Sequence, residues 1–594
     1  MVTLKIDERT VCVPEGTTIL DAALSAGIQI PHLCYLKEIN EIGACRLCCV
    51  QVEGEEKLIP ACNNVVAEGM KISTNSPRVR RARQTNLRLI LSKHDARCAL
   101  CARSGNCQLQ AVCNELGVVS NPFEEDLPSP KLRQWSRHFP LIRDTAKCIE
   151  CMRCIQICDK VQSLSVWDLV ATGGRTRVDV SGNRLIRESD CAICGQCITH
   201  CPVGALYERD DVQKVLRALE DPDTVTVVQI APAVRAAWGE AFGLEPEQAT
   251  VNRLAGALRA VGFDYVFDTS YSADLTIMEE GSEFLARLGR GEQDKYPMFT
   301  SCCPGWVRFV KSQYPQLAGQ LSTAKSPQQM FGAVVKNWFA EKIGVPPEKI
   351  CCVSVMPCVA KKDECALPTM KNAVGIPDVD YALTTREIIR LIRSEHVQVQ
   401  NVLETPFDRL LGDYTGAGVI FGATGGVMEA ALRTAYYLVT GYNPRPDSFR
   451  QVRESRRADG RAWREAEFEM ADSTIRVAVA SGLGNARALC EAILKGEVHY
   501  HFVEIMACPG GCVGGGGQPI HCDDIERAHE RGQVLYGLDR VSAVRFSHEN
   551  ADVMALYRDE LGAPLSEEAE KWLHTDHFGW QMPGEAARSQ ASAE

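Results

Sequence analysis

The chain has 594 residues, of which 45% are apolar and 24% charged, and its net charge is −11. This length predicts about four domains, and the composition is typical of a soluble globular protein. The mildly acidic balance argues against a nucleic-acid partner. No apolar run approaches the about 20 residues of a membrane-spanning helix, and the N-terminus lacks the features of a secretory signal, so we expect a cytoplasmic protein.

The chain contains 28 cysteines. In a reducing compartment such cysteines stay thiols, so their number favours metal binding over disulfides. Most of them fall into short, regularly spaced groups, which are taken below in chain order.

Residues 1–78 alternate apolar and polar positions and then run through a helix-like stretch, TILDAALSAG, which predicts a small β-grasp-like domain. Four cysteines here are spaced x10, x2 and x13, namely Cys34, Cys45, Cys48 and Cys62. The spacing resembles the plant-type [2Fe–2S] pattern with a longer first gap, as at the N-terminus of the large iron–sulfur subunit of complex I and of multi-cluster hydrogenases. The resemblance implies a [2Fe–2S] cluster on these thiols. We interpret the adjacent Cys49 as a packed neighbour.

Residues 79–118 begin in a basic helical segment and continue into one histidine and three cysteines. The candidate ligands are His94, Cys98, Cys101 and Cys107. These side chains could hold a zinc ion, but their order and spacing resemble the His-ligated [4Fe–4S] site of the same two families. A neutral imidazole in place of a thiolate is expected to raise the reduction potential of that cube. Residues 119–137 are proline-rich and charged, which predicts a linker.

Residues 138–215 contain two copies of the pattern C-x2-C-x2-C-x3-C. The unit is similar to bacterial two-cluster ferredoxins, in which three thiolates of a motif bind one cube and the fourth binds the other. The first cube is expected on Cys148, Cys151, Cys154 and Cys201, and the second on Cys158, Cys191, Cys194 and Cys197. With the upstream sites, these cubes would form a relay, so residues 1–215 predict electron transfer.

From residue 222 to 520, strand-like runs such as TVTVVQIAP, YVFDTS, CCVSVMPC and IRVAVASG alternate with helical patterns. This alternation predicts an α/β body with a mainly parallel sheet. Residues 524–577 are expected to be helical, and the tail 581–594 is expected to be disordered. The predicted fold class is therefore multidomain, with α+β cluster domains followed by an α/β catalytic domain.

Three segments of this body place cysteines in glycine and proline turns: 300–306 (TSCCPGW), 356–364 (MPCVAKKDE) and 504–519 (EIMACPGGCVGGGGQP). Cysteines in such turns lie where α/β proteins gather ligands, at strand ends. The candidate ligands are Cys303, Cys358, Cys508 and Cys512. Free cysteines that pack as small hydrophobes are the alternative. The glycines at 514–517, which indicate close backbone approach, and the nearby Lys361 favour a ligand site.

All three segments match the signatures of the [FeFe]-hydrogenases, and the resemblance spans nearly the whole chain. It implies that the four cysteines bind the [4Fe–4S] part of an H-cluster, with Cys512 bridging to a diiron subsite that bears CO, cyanide and a dithiolate amine. Lys361 would donate to a cyanide. The residues expected to line the pocket are Pro232, Gln328, Met356 and Met506.

The same resemblance implies a proton path. Cys302 would exchange protons beside the bridgehead amine, and Glu280, Ser322 and Glu283 would connect it to solvent. A carboxylate pair in an apolar interior suits a proton relay. The implied activity is reversible oxidation of H2, with electrons relayed through the N-terminal clusters.

Three smaller features qualify this interpretation. Ala233 stands where some family members carry serine, which removes one hydrogen bond to a cyanide. Residues 524–577 resemble the small-subunit segment of the family. Gly482-x-Gly484 follows a predicted strand like a dinucleotide fingerprint, but Arg487 occupies the third glycine position, so an ordinary strand–helix turn is favoured.

Three alternatives share part of the pattern: an electron-wiring subunit of a complex I-like assembly, an iron–sulfur assembly factor and a hydrogen sensor. Cys302, Lys361 and the GGGQP turn disfavour the first, and the complete proton path disfavours the other two. The segment CARSGNCQLQ resembles multimeric versions. We therefore expect the catalytic subunit of an NAD(P)-linked complex, of which electron-bifurcating enzymes are one kind, with flavin- and NAD(P)-binding and small iron–sulfur subunits as partners. A monomeric, ferredoxin-linked hydrogenase is the alternative.

Overall fold

The structure is a computed structural model that describes residues 1–121, 135–291, 297–454, 462–470 and 473–585. Most of the predicted linker at 119–137 and of the predicted disordered tail at 581–594 lies outside these residues. In the described part of the chain, no helix is long and apolar enough to cross a bilayer.

The N-terminal domain is a five-stranded sheet with one helix packed on it, as the alternating pattern predicted. Its elements are β1 (Val2–Ile6), β2 (Arg9–Val13), α1 (Ile19–Ser25), β3 (Cys49–Val52), β4 (Ile59–Pro60) and β5 (Lys71–Ser73). The strand order is β2-β1-β5-β3-β4, with β1 and β5 parallel. The Thr18 hydroxyl caps α1 by accepting from the Asp21 N–H, which explains why the helix begins there.

The middle region is built from short helices and two-stranded ribbons around buried thiols. Its elements are α2 (Pro77–Ser92), α3 (Gln108–Glu115), β6 (Leu141–Arg143), α4 (Arg153–Gln156), β7 (Trp167–Val170), β8 (Arg177–Val180), α5 (Gln196–Thr199) and β9 (Leu206–Glu208). One apolar cluster joins Leu47 of the N-terminal domain, Leu87 of α2, Ile193 and Val359 of the following body. The cluster domains therefore share a continuous core with the α/β body.

The α/β body contains two four-stranded sheets. Its strands are β10 (Val225–Ile230), β11 (Tyr265–Asp268), β12 (Met298–Phe299), β13 (Ile350–Met356), β14 (Tyr381–Thr384), β15 (Arg464–Met470), β16 (Ser473–Ser481) and β17 (Phe502–Met506). Its helices are α6 (Val212–Glu220), α7 (Val251–Val261), α8 (Thr269–Arg290), α9 (Pro304–Gln313), α10 (Pro327–Val334), α11 (Ala340–Ile343), α12 (Lys361–Glu364), α13 (Thr385–Ser394), α14 (Gly416–Ile420), α15 (Gly426–Thr440), α16 (Gln451–Glu454) and α17 (Leu483–Leu494).

The first sheet, in the order β11-β10-β13-β14, is parallel throughout. The second, in the order β12-β17-β16-β15, is parallel except for the antiparallel pair β15–β16. β13 is buried at every position, which is typical of a strand covered by helices on both faces. The prediction of a mainly parallel α/β body is confirmed. The division into two sheets was not predicted.

The C-terminal segment is helical, as predicted, and contains α18 (Ala528–Val541), α19 (Ala551–Leu556) and α20 (Glu567–Leu573). Side chains of Asn550 and Ser566 cap α19 and α20. The segment packs on the body, with α19 against α8 and α20 against α10. Helix α19 therefore lies beside the helix that carries the predicted proton-path glutamates, α8.

Candidate active site and its electron and proton routes

Four cysteines, contributed by loops that follow strands of both sheets of the body, meet at one site. Cys303 lies at the start of α9, just after β12; Cys358 follows β13; Cys508 and Cys512 follow β17. All four lie beyond the carboxyl ends of parallel strands, the usual place for ligands in such sheets. Burial raises the pKa of Cys512, and the thiols of its three neighbours raise the pKa further, which shows that the four are close together.

Glycines let the loop that carries Cys508 and Cys512 lie directly on the loop that carries Cys358. A Cβ at Gly515 would lie 2.1 Å from the Pro357 carbonyl oxygen, and one at Gly517 would lie 2.9 Å from the Cys358 nitrogen. Any side chain at either position would push the two loops apart. The four thiols are therefore held by close backbone contact, an arrangement that fits a compact cluster.

Lys361, at the start of α12, is buried beside this group. Its Nζ donates to the Cys302 carbonyl oxygen at 3.1 Å and to Glu364 Oε2 at 2.9 Å. Desolvation opposes the charge, but Glu364 outweighs it, so the pKa of Lys361 is raised and the ammonium stays protonated.

The four residues expected to line the pocket lie at the same end of the sheets. Met356 ends β13, Met506 ends β17 and Pro232 follows β10; all three are buried. Gln328 is buried on α10, where its Oε1 accepts from Ser354 Oγ at 2.8 Å and its Nε2 donates to Glu364 Oε2 at 3.1 Å. The structure brings these side chains to the site, with the amide of Gln328 already hydrogen-bonded.

The predicted proton-path residues form a buried row that starts at Cys302. Glu280, on α8, accepts from the Ser301 N–H at 3.2 Å, and its Oε2 has no hydrogen-bond partner among the described residues. Burial raises the pKa of Glu280 to about 8, so this carboxyl carries a proton at neutral pH. The Ser322 hydroxyl donates to Glu283 Oε2 at 2.6 Å and lies close enough to Glu280 to lower the pKa of that carboxyl.

The outer end of this row opens to the surface. Arg287 Nη2 donates to Glu283 Oε1 at 2.6 Å, and both residues line an open cavity of about 540 Å³. Its other lining residues include Arg290, Thr323, Glu570 and His574. Cys302, Glu280, Ser322 and Glu283 thus run from the buried thiols to solvent.

The two ferredoxin-like cysteine sets are each brought together. One small cavity is lined by Cys148, Cys151, Cys154 and Cys201, the set expected for the first cube. In the second set, burial raises the pKa of Cys197, and the nearby Cys191 and Cys158 raise it further. Burial likewise raises the pKa of Cys194, and Cys508, Cys197 and Cys191 add to the rise. The positions of the thiols therefore agree with the expectation that the fourth cysteine of each motif binds the cube of the other motif.

The second of these sets touches the four-cysteine site directly. Cys508 Sγ lies 3.7 Å from the Cys194 carbonyl oxygen, and Gln196 Nε2 donates to the Gly514 carbonyl oxygen at 2.9 Å. A Cβ at Gly516 would lie 2.3 Å from the same Cys194 oxygen. The two sites therefore share a backbone contact, which suits short-range electron transfer.

The thiols of the N-terminal domain form a separate group. The neighbouring thiols Cys45 and Cys62 lower the pKa of Cys34, and Cys62 lowers that of Cys48, so the four lie side by side. Cys49 is buried on β3, and its carbonyl accepts from Arg83 Nη2 at 2.9 Å. The structure brings together the four cysteines predicted to bind the [2Fe–2S] cluster.

The histidine and three cysteines of the next motif line an open cavity of about 620 Å³. His94 Nδ1 lies 3.0 Å from the Lys147 carbonyl oxygen, so Nδ1 carries the hydrogen and Nε2 is left as a lone-pair donor. A Cβ at Gly204 would lie 2.3 Å from Cys101 Sγ, so glycine is needed there. The four candidate ligands therefore share one cavity, as a common metal or cluster site requires.

The turn at Gly482 and Gly484 is a contact between domains. A Cβ at Gly484 would lie 2.8 Å from the Val161 carbonyl oxygen, the Leu483 N–H donates to Gln162 Oε1 at 3.0 Å, and Arg487 donates to the Ser163 carbonyl at 2.8 Å. The absence of a side chain at Gly484 therefore lets this turn lie against the ferredoxin-like unit.

Family sequence profiles match most of the chain. The iron only hydrogenase large subunit, C-terminal domain, matches residues 224–516, and the iron hydrogenase small subunit matches 525–580. Towards the N-terminus, a 2Fe-2S iron-sulfur cluster binding domain matches 1–77, the NADH-ubiquinone oxidoreductase-G iron-sulfur binding region matches 83–122 and a 4Fe-4S dicluster domain matches 147–205.

Known proteins are similar over nearly the full length. The NADP-reducing hydrogenase subunit HndD of Solidesulfovibrio fructosivorans is 46% identical over 97% of this chain and 99% of its own. Iron hydrogenase 1 of Clostridium pasteurianum is 37% identical over 94% and 97%. The chain belongs to the iron-only, or [FeFe], hydrogenases. A solved structure of an apo [FeFe]-hydrogenase variant from Chlamydomonas reinhardtii covers 63% of this hydrogenase and 100% of its own chain, with a TM-score of 0.56 and 40% identity.

The predicted family and fold class of this [FeFe]-hydrogenase are confirmed, and the chain is an iron–sulfur oxidoreductase. Sequence reasoning missed two charged residues of the site, Arg287 beside Glu283 and Glu364 beside Lys361. Each pair has the i,i+4 or i,i+3 spacing of neighbours on a helix, which was the signal available.

Proposed function

We propose that this hydrogenase interconverts H2 with protons and electrons at an H-cluster bound by Cys303, Cys358, Cys508 and Cys512. The proposal rests on the meeting of these four thiols beside the inner end of a buried carboxyl row. When bound, the H-cluster supplies the metal centre at which H2 is cleaved or formed. Anaerobic oxidation of H2 by the purified chain, with an artificial electron acceptor, tests the proposal.

Lys361 would hold an anionic ligand of that cluster. An ammonium group has three N–H donors, and contacts to Cys302 and Glu364 engage two of them in the described part of the chain. The remaining donor is available to an anion in this buried site, where a hydrogen bond from an ammonium group is stronger than in water. Pro232, Met356, Met506 and Gln328 would exclude water around it.

Cys302, Glu280, Ser322 and Glu283 would carry protons between this site and the open cavity. The Glu280 carboxyl is protonated near neutral pH, and the Ser322 hydroxyl can accept a proton from one carboxyl while it passes its own to the other. A row that alternates carboxyl and hydroxyl groups in this way can move a proton in either direction.

Electrons would reach the site through one [2Fe–2S] cluster and three [4Fe–4S] cubes, one of them ligated by His94. The contact between the Cys194 loop and the Gly514–Gly516 loop supports transfer from the second ferredoxin-like cube. We take residues 1–78, 79–118, 138–215, 222–520 and 524–577 as the functional units, with the last as a small-subunit-like segment.

A His94→Cys variant tests the relay at its histidine ligand. We expect a cube to remain and its reduction potential to fall, because a fourth thiolate adds negative charge. Redox titration followed by EPR should show the shift in one cluster only. Cys113→Ser is the matched control, since Cys113 lines the same cavity outside the motif. One zinc per wild-type chain would contradict the proposed ligation.

The alternatives account for less of the structure. An electron-wiring subunit would have no use for the row from Cys302 to Glu283, and an assembly factor or a sensor would not need a path open to solvent. The presence of this complete row beside the four thiols therefore favours an enzyme that turns over protons.

We infer that the physiological partners are flavin- and NAD(P)-binding subunits and a small iron–sulfur subunit, in a cytoplasmic complex. The similarity to a protein named as an NADP-reducing hydrogenase subunit supports this inference. Ferredoxin, as partner of a monomeric enzyme, is the second candidate.

A Cys45→Ser variant tests this inference. We expect hydrogen evolution from an artificial reductant to persist, since such donors can reach the later cubes, and NAD(P)-coupled activity of the reconstituted complex to be lost. The variant keeps the domain contacts that a deletion of residues 1–78 would remove, such as Asn40 Nδ2 to the Cys151 carbonyl oxygen at 2.9 Å. The control is Cys12→Ser, an exposed thiol outside the motif. Full NAD(P) coupling in Cys45→Ser would show that electrons bypass the N-terminal cluster.

A further inference from the structure

A second buried carboxyl lies next to the proposed proton path and is held by the C-terminal segment. Glu279, on α8, has no exposed surface. Its carboxyl oxygens accept hydrogen bonds from Tyr557 Oη at 2.5 Å and from the Leu565 N–H at 2.9 Å, and Oε2 lies 3.0 Å from His574 Nε2. All three partners belong to residues 525–580, the part that matches the iron hydrogenase small subunit.

His574 connects this carboxyl to the outer end of the path. Its Nδ1 lies 2.8 Å from Thr323 Oγ1, and that hydroxyl lies 3.4 Å from Glu283 Oε1. The Thr323 N–H also donates to Glu283 Oε2 at 3.1 Å, which fixes the threonine against the carboxyl. The titratable or charged groups around the imidazole are Glu279, Tyr557, Glu283, Arg287, Arg290 and Glu570.

The single proton of the Thr323 hydroxyl makes this bridge sensitive to the charge of His574. When the imidazole is neutral and its Nε2–H donates to Glu279, Nδ1 is an acceptor and takes the hydroxyl proton. When the imidazole is protonated, Nδ1–H donates to Thr323 Oγ1, and the hydroxyl proton is free to turn to Glu283. A proton on His574 therefore completes a row of donors that ends at Glu283.

We propose that His574 is a positioning and proton-relay residue that loads and unloads Glu283 at the mouth of the proton path. In the loading step, the Nδ1–H bond of the imidazolium breaks and an O–H bond forms on Thr323. The original hydroxyl proton passes to Glu283 Oε1, which leaves a neutral imidazole and a neutral carboxyl. Oxidation of H2 runs the same step in reverse. The inference rests on the proposed role of Glu283.

The role explains why the C-terminal segment reaches this part of the body. His574 lines the cavity together with Glu283 and Arg287, and a proton from cavity water binds Nδ1 when the exposed Thr323 hydroxyl turns towards Glu283. Cavity water can also reach Glu283 directly, so His574 should accelerate proton exchange without being indispensable.

The test uses the full chain with its clusters assembled. We expect His574→Gln to slow hydrogen evolution about tenfold, less than the hundredfold or more of an indispensable acid–base group, and to raise the solvent deuterium isotope effect. The pH profile should lose one titration. In His574→Ala, added imidazole should restore most of the rate, whereas Thr323→Val should be slow and should not respond to imidazole.

His548→Gln is the matched control, because His548 is buried in the same segment but contacts Thr434 and Asn443 instead of the path. EPR of the clusters should be unchanged in every variant. An unchanged rate and pH profile in His574→Gln would overturn the inference, as would a slow variant with an unaltered isotope effect and no rescue by imidazole. If Glu283→Gln were itself fully active, the proton path would fail instead, so the two failures are distinguishable.

Discussion

Replacement of Cys302 by alanine is expected to lower hydrogen oxidation and evolution about a thousandfold, which corresponds to roughly 4 kcal/mol of barrier. The thiol is the innermost group of the proton row; burial raises its pKa and the Glu280 carboxyl adds to the rise, which places the two groups close together. The substitution should leave the fold intact, because Lys361 contacts the Cys302 carbonyl oxygen, which alanine retains.

Hydrogen uptake by the purified variant, with EPR and infrared spectra to show that the clusters are present, measures this effect. Cys302→Ser should be similarly slow, because a hydroxyl is a far weaker acid than a thiol. Cys490→Ala is the control, since Cys490 is a buried thiol of α17 outside every ligand group. Activity of Cys302→Ala within tenfold of the wild type would rule out the proposed role.

The cluster ligands could be predicted from the sequence because each set obeys a local rule. The spacing C-x2-C-x2-C-x3-C reflects how a tight loop surrounds a cube, and it led to Cys201 as a ligand of the first cube. The structure lines one cavity with that set. The strands could also be predicted from the sequence, since buried parallel strands are continuous apolar runs, as in β13.

Contacts between distant segments could not be predicted in the same way. Periodicity shows that a strand is buried but not which strand it pairs with. The pairing of β12 with β17, which helps to form the second sheet, therefore has no local sequence signal. The same holds for Thr323 and His574, which are 251 residues apart and meet only because α20 packs on α10. Packing of the whole chain decides such pairs, and both lie close to the proposed chemistry.

Replacement of Glu283 by glutamine is expected to slow turnover a hundredfold or more, the usual range for loss of a positioned acid–base group. Glutamine keeps the shape of the side chain, but its amide cannot take up and release a proton at neutral pH. Its NH2 group would also face donors, because Glu283 accepts from the Ser322 hydroxyl, the Thr323 N–H and Arg287. Arg287 keeps contacts with the Gln320 and Leu321 carbonyl oxygens, so the fold should survive.

Two measurements separate a proton-transfer defect in Glu283→Gln from general damage. The solvent deuterium isotope effect on hydrogen evolution should rise, since proton delivery becomes rate-limiting, while the EPR signals of the clusters stay unchanged. Glu283→Asp is the matched control: it keeps a titrating carboxyl on a side chain one methylene shorter, and it should recover a large part of the lost rate. A Gln variant as fast as the wild type across the pH range would show that protons reach Cys302 by another route, and the row through Glu280 and Ser322 would lose its proposed function.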